Sequence, residues 1–497
     1  MRVISVAITE LRRPNPLNAE YIPELGGSFA SMRYRSLLER TIVCRAALHA
    51  LAPMHLEGRV IGLSGLMVDI DGLGGHVSVG DRLILSARDG HDIPAEIVGF
   101  RNCHAQSMPL AALDGLGPGS VALCRGAPNG HSGAGAGFTF GGGATLAVAD
   151  GWLGRVLDPL GRPLDGHGPL PSGSDARLVR GPPPDATQRA RLGPRLDLSV
   201  RALNCFTTCR RGQRLGLFSG SGIGKSTLIA MLARRTACDV AVLALVGERG
   251  REVREFLEDD LGDEGLARSV VVVATSDSPP LMRRQAAFSA MTVAEHFRDQ
   301  GKSVLLLMDS VTRFCLALRE IGLSTGEPPA TRGYPPSVFA ELPRLLERAG
   351  PGLERPDGAA GHITALFTVL VEGDDHNEPI ADAVRGILDG HVVLDRRIAE
   401  GGRYPAVDVL RSLSRAVPGC NEPAENALAR RARTILALYA DMADMVRLGA
   451  YRAGSDPAVD EAVTLAPRIE AMLRQESSER TSIEDSFAQL RAALEPT

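Results

Sequence analysis

The sequence lacks the features of several protein classes. No apolar run approaches the roughly 20 residues that a membrane-spanning helix needs, and Met1 to Glu10 has no apolar stretch followed by a small-residue cleavage site. Aromatic residues make up only 4% and the formal net charge is −4, so the chain has neither the stacking surface nor the basic charge of a typical nucleic-acid binder. We therefore expect a cytoplasmic protein that does not bind nucleic acid.

Cysteine is also sparse and poorly spaced for a metal site. The eight cysteines are spread over 497 residues, and the one close pair, Cys205 and Cys209, has three residues between its members and no second pair nearby. Structural zinc sites usually need two such pairs. We expect reduced thiols instead.

The N-terminal third contains an arm and then short strands. Residues 1 to about 30 are rich in proline and glycine, and Ser36–Leu51 predicts an amphipathic helix that either packs on its own domain or binds a partner. Short β-branched or aliphatic segments follow and predict a small β-barrel or sandwich: Arg59–Leu63, His76–Val79, Arg82–Leu85 and Glu96–Phe100. The glycine-rich run Asn129–Gly143 has no strand before it and no helix after it, so a connector is favoured over a dinucleotide fingerprint.

Strands and helices alternate from about residue 150 to 405, which predicts an α/β domain with a mainly parallel sheet covered on both faces. The predicted strands are Arg214–Phe218, Val240–Val246, Val270–Ala274, Val304–Met308 and His362–Val371, and the predicted helices are Lys225–Arg235, Glu252–Glu258 and Leu281–Arg298.

The C-terminal tail is predicted to be helical. Apolar residues recur every three or four positions from Leu428 to Val446, and glycines and Pro457 then break the pattern. Thr481 and Glu484 predict a capping box for a last helix that carries Phe487 and Leu490.

The strongest motif is SGSGIGKST, which follows a predicted strand and opens a predicted helix. Glycines at such a place let backbone N–H groups approach phosphate oxygens, and the helix N-terminus adds a positive dipole end. Lys225 is suited to the β- and γ-phosphates, and the Ser226 hydroxyl to Mg²⁺. The predicted ATP-binding residues of this loop are Ser219, Gly220, Ser221, Gly222, Ile223, Gly224, Lys225, Ser226 and Thr227. Ser219 departs from the general pattern, which has glycine there.

Two carboxylates follow other predicted strands. Asp309 ends a hydrophobic strand, a place suited to holding Mg²⁺ through water beside a phosphate loop. Glu248 follows another strand and is a candidate for orienting or deprotonating the attacking water. Spacing alone does not choose Glu248 over Glu252 or Glu255.

Five segments together resemble the flagellar protein-export ATPases, which are also called flagellum-specific ATP synthases. They are GSGIGKST, GERGREVREF, MDSVTRF, TGEPPATRGYPPSVFAELPRLLERAG and VEGDDHNEPIADAVRGILDG. The likeness runs from about Gly58 to Leu465 and extends to type III secretion ATPases and, more distantly, to the catalytic subunits of F-type and V-type ATPases. Asn129–Gly143 is longer than is usual in that family, whereas Ser219 stands where the family commonly has alanine or glycine.

The resemblance implies roles for particular residues. Glu248 would activate the attacking water, Arg249 would face the γ-phosphate, and Asp309 would be the Mg²⁺-associated carboxylate. In the run RYPAVDVLRSLSR, Tyr404 matches an aromatic residue that stacks on adenine, and Arg415 matches an arginine finger that reaches a neighbouring subunit's nucleotide.

The resemblance also implies an architecture. We expect a RecA-like P-loop ATPase core with an N-terminal β-barrel domain and a C-terminal helical domain. The predicted division is an arm and partner-binding helix over 1–57, a barrel over 58–127, the ATP-binding domain over 128–418 and the helical domain over 419–497.

The expected function is Mg-ATP hydrolysis that energises export of flagellar proteins through a type III secretion apparatus. Such ATPases form homohexameric rings with nucleotides between protomers, bind a stator-like regulator through the N-terminal region, and lie peripherally at the inner membrane beside the export gate, where exported proteins and chaperones arrive. A virulence-type secretion ATPase is the nearest alternative. A rotary synthase subunit is a more distant alternative, because Glu248, Lys225 and Arg415 occur in one chain, which could supply both halves of each site. An RNA-translocating helicase is also more distant, because Gly58–Arg125 offers only Phe100 as a stacking aromatic residue.

Overall fold

The computed structural model describes residues 55–128, 138–140, 142–220, 222–354, 360–371 and 378–495. The predicted helix Ser36–Leu51, most of the glycine-rich run and Ser221 of the phosphate loop therefore lie outside the described residues. Contacts divide the chain into two compact units, Met1–Ala144 and Thr145–Thr497. The predicted division into four segments stays a prediction.

The first unit is a closed antiparallel barrel. Its strands are β1 His55–Ser64, β2 Met67–Asp71, β3 Arg82–Ser86, β4 Asp92–Arg101, β5 His104–Pro109, β6 Val121–Pro128 and β7 Phe138–Phe140. Six of them close in the order β1-β2-β5-β4-β3-β6, with β6 pairing back to β1, and β7 extends from β6. Alternate residues such as Val68, Ile70 and Ile97 fill the interior. The predicted barrel is confirmed.

One predicted strand of this unit is wrong. Residues Gly74–His76 form a short 3₁₀ turn, and the segment His76–Val79 joins no sheet. Gly74 and Gly80 on either side have φ of +52° and +94°, outside the extended region, so the chain turns at both ends. The apolar valines at 77 and 79 mimic strand alternation without forming a ladder.

The second unit is built on a nine-stranded, mainly parallel sheet. The strands of this unit are β8 Thr145–Leu146, β9 Arg155–Leu157, β10 Arg177–Leu178, β11 Arg195–Leu196, β12 Cys209–Arg210, β13 Arg214–Ser219, β14 Val240–Glu248, β15 Ser269–Thr275, β16 Ser303–Asp309, β17 Gly350–Pro351, β18 His362–Leu370, β19 Gly390–Leu394 and β20 Val407–Ser414. The strands of the large sheet run in the order β20-β19-β13-β18-β16-β14-β15-β9, with β17 beside β18, and only β20 and β17 are antiparallel to their neighbours. Two small ribbons, β8 with β10 and β11 with β12, lie outside this sheet.

Helices cover the sheet. They are α1 Arg201–Phe206, α2 Lys225–Arg235, α3 Gly250–Glu255, α4 Gly262–Ala267, α5 Pro280–Asp299, α6 Val311–Ser324, α7 Pro336–Leu346, α8 Pro379–Ile387 and α9 Arg396–Glu400. A π-helical turn, Phe256–Leu261, separates α3 from α4. The central strands β14 and β16 are buried throughout except at Glu248, because parallel strands with helices on both faces have no solvated side.

Three helices form the tail: α10 Pro423–Arg447, α11 Pro457–Leu473 and α12 Ile483–Leu494. Ile435, Leu465 and Phe487 belong to the same apolar cluster as the sheet residues Leu215 and Leu217, so the tail shares the core of this unit. The predicted capping box at Thr481 is wrong. The cap is the next residue, Ser482, whose hydroxyl accepts a hydrogen bond from the Asp485 N–H at 3.0 Å, while Thr481 Oγ1 accepts one from Arg201.

None of the helices in the described part of the chain combines the length and the apolar composition that crossing a bilayer requires. The cysteines of that part are free thiols, and no group of three or more His, Cys, Asp or Glu side chains converges there as a metal cage.

Candidate active site

Sheet topology brings the predicted phosphate loop and both predicted carboxylates to one edge. Strands β13, β18, β16 and β14 are neighbours in that order and run parallel, so their carboxyl ends lie side by side. Ser219 ends β13, Glu248 ends β14 and Asp309 ends β16. This is the edge at which open α/β sheets bind ligands.

The loop between β13 and α2 has the geometry of an anion cradle. Gly222 and Gly224 have φ of +76° and +82°, which side chains with a Cβ rarely adopt. Gly224 caps α2, so the helix begins at Lys225 with its N–H groups directed at the loop. Ser219 is fully buried at the end of its strand and does not line the cavity, whereas Ser226 and Thr227 do.

Lys225 lies between the two carboxylates. Its Nζ donates a hydrogen bond to Asp309 Oδ1 and lies 3.8 Å from Glu248 Oε1. Asp309 is 5% exposed, and its Oδ1 also accepts a hydrogen bond from Thr368 Oγ1 at 2.7 Å. A buried carboxylate beside a second, largely buried one is unfavourable without a cation, and Lys225 supplies that charge.

A local distortion of β14 directs Glu248 into the site. The register with β15 shifts between Val246 and Glu248, and Gly247 in between has φ of +73°. Arg313 from α6 donates to the Gly247 carbonyl and lies 3.4 Å from Glu248 Oε2. A Cβ at residue 247 would meet the Arg313 side chain at about 3.0 Å, so glycine is required here on two counts.

The environment of Glu248 suits a base. Burial, reinforced by the negative charge of Asp309, raises the pKa of this carboxyl above its usual range, while Lys225 and Arg313 oppose the shift. Among the described residues, no group donates a hydrogen bond to its buried Oε1. That oxygen is therefore available to accept a proton from a ligand or a water.

A cavity of about 890 Å³ opens in front of these groups. Its lining includes Gly220, Gly222 to Thr227, Gly247, Glu248, Arg249, Glu252, Arg283, Thr312 and Arg313. Arg249 lies at the mouth with 73% of its side chain exposed, and its guanidinium is paired with Glu252 at 2.7 Å. The structure thus brings Arg249 to the cavity but not into contact with Lys225.

Tyr404 lies on the other side of the phosphate loop. Its ring is close enough to Gly224 that a Cβ there would meet ring carbons at 3.2 Å, and 46% of the residue is exposed. It borders a second cavity of about 270 Å³ with Thr227, Gly402, Pro405 and Gln475. An aromatic face next to the start of α2 can stack on a flat ring attached to phosphates in the loop.

Arg415 is not part of either cavity. It directly follows the edge strand β20, its side chain is exposed, and it lines neither cavity. Within the residues that the structure describes, its guanidinium forms no hydrogen bond or ion pair. The structure therefore does not join Arg415 to the other predicted site residues of the same chain.

Sequence reasoning missed three residues at the site. Arg313 and Arg283 line the cavity, and Thr368 holds Asp309 from the neighbouring strand. Arg313 falls in MDSVTRF, four residues after Asp309, so its place in that motif is the available signal. Thr368 gave no signal, because only the pairing of β16 with β18 brings it to Asp309.

The donors present fit a hard divalent cation. The Ser226 hydroxyl borders the cavity and Asp309 supplies a buried carboxylate behind it. Mg²⁺ usually takes one or two protein oxygens and completes its shell with water and substrate phosphates, so this small oxygen set is sufficient.

Two family models match the chain. The nucleotide-binding domain of the ATP synthase alpha/beta family matches residues 199–414. The C-terminal domain of the type III secretion ATPase EscN matches residues 422–492.

Individual relatives match over nearly their full length. The flagellum-specific ATP synthase of Caulobacter vibrioides is 52% identical over 90% of this chain and 98% of its own length. That of Salmonella typhimurium is 46% identical over 90% and 95%. The type 3 secretion system ATPase of Xanthomonas euvesicatoria is 43% identical over 92% and 98%.

Solved structures match as well. The assembled ATPase EscN of the enteropathogenic E. coli type III secretion system superposes with a TM-score of 0.77 and 36% identity, covering 88% of this chain and all of EscN. EscN in complex with its central stalk EscO superposes with a TM-score of 0.76 and 36% identity, at the same coverage of both chains.

Proposed function

Since this chain belongs to the family of flagellum-specific ATP synthases and type III secretion ATPases, we propose that it hydrolyses Mg-ATP to energise protein export, with each active site shared between two protomers of a ring. The single observation that carries the proposal is the convergence of Lys225, Glu248 and Asp309 behind a glycine-lined loop. A cation, a base and a metal-associated carboxylate are the parts that phosphoryl transfer to water needs.

Nucleotide binding replaces the internal partners of Lys225. In the structure, Lys225 neutralises Asp309. A triphosphate in the loop offers Lys225 a denser negative charge, and the N–H groups at the start of α2 bind the same phosphates. Ser226, and Asp309 through water, would hold Mg²⁺, which would supply positive charge to offset that of the substrate phosphates.

Glu248 then acts on water. A water in the cavity donates a hydrogen bond to the free Oε1, which orients its oxygen toward the γ-phosphorus. The new P–O bond forms as the bond to the β,γ-bridging oxygen breaks, and Glu248 receives the proton. The products are ADP and phosphate. Arg313 keeps the carboxylate in place through Gly247 and Glu248.

The remaining positive charge is proposed to come from two arginines, one of a neighbouring protomer and one of the same chain. The exposed Arg415 of an adjacent protomer is proposed to contact the γ-phosphate in the transition state, a contribution typically worth roughly 10³–10⁵ in rate. Arg249 is proposed to turn from Glu252 to the γ-phosphate, since both already lie at the cavity. A cyclic arrangement of six identical subunits gives every site both halves.

The setting is proposed from the relatives. EscN has been solved as an assembly and with a central stalk protein, and most of the relatives at the highest identities are named flagellum-specific. We propose a homohexamer that lies peripherally at the cytoplasmic side of the inner membrane. Its N-terminal region binds a stator-like regulator, and its helical tail faces the export gate and arriving exported proteins or chaperones. Virulence-type secretion is the second candidate, favoured by the Xanthomonas relative. Deleting the gene and scoring filament assembly and motility separates the two.

The proposal is tested by hydrolysis assays on the full chain with Mg²⁺ and ATP over a range of protein concentrations. Specific activity is expected to rise with concentration as rings form. Lys225→Ala is expected to weaken binding of a fluorescent ATP analogue and to abolish turnover, because the phosphate charge loses its partner. Undiminished affinity in Lys225→Ala, or no hydrolysis by the parent chain even with its secretion partners added, would contradict the proposal.

A further inference from the structure

The segment that carries Arg415 is anchored by a buried amide. Gln213 directly precedes β13 and is 0% exposed. Its Oε1 accepts a hydrogen bond from the Arg210 N–H at 3.0 Å, and its Nε2 donates to the Asp389 carbonyl at 3.2 Å and to Ser414 Oγ at 2.9 Å. Every polar atom of the side chain is therefore satisfied, and both of its donor contacts are with residues that touch Arg415 through the backbone.

These contacts enclose Arg415 on both sides. The Asp389 carbonyl also accepts a hydrogen bond from the Arg415 N–H at 2.9 Å. The buried Ser414 hydroxyl accepts one from the Ala416 N–H at 3.3 Å and donates to the Thr208 carbonyl at 2.8 Å. Gln213 thus supports three consecutive positions. It bonds to Ser414 directly, shares the Asp389 carbonyl as an acceptor with the Arg415 N–H, and shares the Ser414 hydroxyl as an acceptor with the Ala416 N–H.

Regular strand pairing gives this segment little other support. Residues Ser414 and Leu413 pair with Gly390 and His391, but the register with β19 then shifts, and pairing resumes only at Asp408 with Val393. β20 is the edge strand of the sheet, and no other described strand pairs with its outer side. Arg415 therefore follows a ladder of only two paired residues, so its position depends on its own backbone hydrogen bond to Asp389 and on the side-chain hydrogen bonds of Gln213 and Ser414.

Asp389 is itself held in place. Its carboxylate accepts from the Arg214 N–H at 3.0 Å and from the Arg214 guanidinium at 3.2 and 3.3 Å. Gln213 and Arg214 therefore act on the same residue from adjacent positions. This arrangement lies directly at the ends of the sheet strands β13, β19 and β20, and a precisely placed functional group needs support of this kind.

We propose that Gln213, together with Ser414, is a positioning residue for Arg415 and so controls turnover at the neighbouring protomer's nucleotide. The inference rests on the proposed shared site. Among the described residues, the side chains of Gln213 and Ser414 hydrogen-bond to no residue that lines the nucleotide cavity; they act by fixing the backbone from which the arginine extends. A displacement of about 1 Å at such a group can cost on the order of 10²-fold in rate.

The variants are Gln213→Met, which keeps the length but removes the amide, and Ser414→Ala. Ser412→Ala is the matched control. Ser412 lies on the same strand and is also 1% exposed, but its hydroxyl bonds to Val393 and Asp408 rather than to the Gln213 cluster. Gln213→Met and Ser414→Ala are expected to lose about 100-fold in kcat with unchanged affinity for a fluorescent ATP analogue. Ser412→Ala is expected to stay within a few-fold of the parent.

Mixed rings separate positioning from a general defect. A Gln213→Met subunit keeps its phosphate loop and a Lys225→Ala subunit keeps its arginine, so a random 1:1 mixture contains about one fully equipped interface in four. We expect activity well above the sum of the two variants alone. No recovery would mean that Gln213 serves its own phosphate loop, and would overturn the inference; Ser414→Ala in the same assay answers the question if Gln213→Met does not fold.

The variant Arg415→Ala distinguishes a failure of this inference from a failure of the proposed shared site. If Arg415→Ala is inactive while Gln213→Met and Ser414→Ala are fully active, only the positioning role is overturned. If Arg415→Ala itself retains full turnover, both the proposed shared site and the positioning role are overturned.

Discussion

The two halves of the proposed site differ in how completely the chain supplies them. At the phosphate-loop half, Lys225, Glu248 and Asp309 converge in a partly buried cluster, and Arg313 and Thr368 complete the contacts. At the other half, Arg415 stands exposed at the sheet edge with no partner for its guanidinium within the described residues. Burial and charge compensation thus distinguish the half proposed to act within the chain, whereas the half proposed to act on a neighbour has a cation held through its backbone and without a partner for its guanidinium in the described part of the chain.

The largest effect on kcat is expected from removing the exposed arginine, Arg415. Arg415→Ala should lower kcat by roughly 10³–10⁵ because the transition state loses its external charge, while rings still form. Turnover and the oligomeric state are measured together. Recovery is expected in mixtures with Lys225→Ala subunits, and failure to recover would indicate that Arg415 acts within its own chain.

Glu248→Gln tests the half within the chain. The variant should still bind Mg-ATP but lose about 10²–10⁴-fold in kcat, since the amide cannot take a proton from water. Glu255→Gln is a matched control, because Glu255 is on the following helix, half exposed and paired with Arg251. Single-turnover hydrolysis within a few-fold of the parent would remove Glu248 from the mechanism.

Tyr404→Ala tests whether the phosphate-loop half extends to the base of the nucleotide. Loss of a stacking face costs about 1–3 kcal/mol, so the Kd for ATP should rise by about 5- to 150-fold. Tyr404→Phe keeps the ring and should bind as the parent does. Equal affinities for all three proteins, measured by titration with a fluorescent analogue, would place the base elsewhere.

The smallest effect is a shift in the pH profile. Glu248 must be ionised to act as a base, so activity is present above its pKa and is lost as the pH falls through it. Because burial raises this pKa, the acid limb of kcat/KM should have its midpoint above the usual value of 4.5. In Glu248→Gln the residual activity should lack that limb. A midpoint at or below 4.5 would contradict the buried environment.

The sequence predicted most of the sheet because its buried strands are continuous aliphatic runs. Val304–Met308 was predicted and Ser303–Asp309 observed, and helix Lys225–Arg235 was predicted to the residue. The failures were local. The valines near residue 78 suggested a strand, but flanking glycines turn the chain, and Ser482 rather than its neighbour Thr481 caps the last helix.

The site was predictable only in part, for a different reason. Residues within one motif, such as the phosphate loop, are close in space because they are close in sequence. Thr368 and Asp309 are 59 positions apart and meet through strand pairing alone. The same holds for Gln213 and Ser414, which are 201 positions apart. Spacing in the sequence also does not decide which of three glutamates acts on the attacking water, and only the structure shows that Glu248 approaches Lys225.

Strand β13 makes the two directions around the proposed ring structurally different. Its six residues span about 20 Å, are hydrogen-bonded on both sides, and connect Gln213 at one end to the phosphate loop at the other. In the proposed ring, one end of this strand would lie at the subunit's own nucleotide, and the other end at the arginine that is proposed to serve the next subunit's nucleotide. Because head-to-tail interfaces distinguish clockwise from anticlockwise, successive hydrolysis events travelling one way around such a ring are not equivalent to events travelling the opposite way.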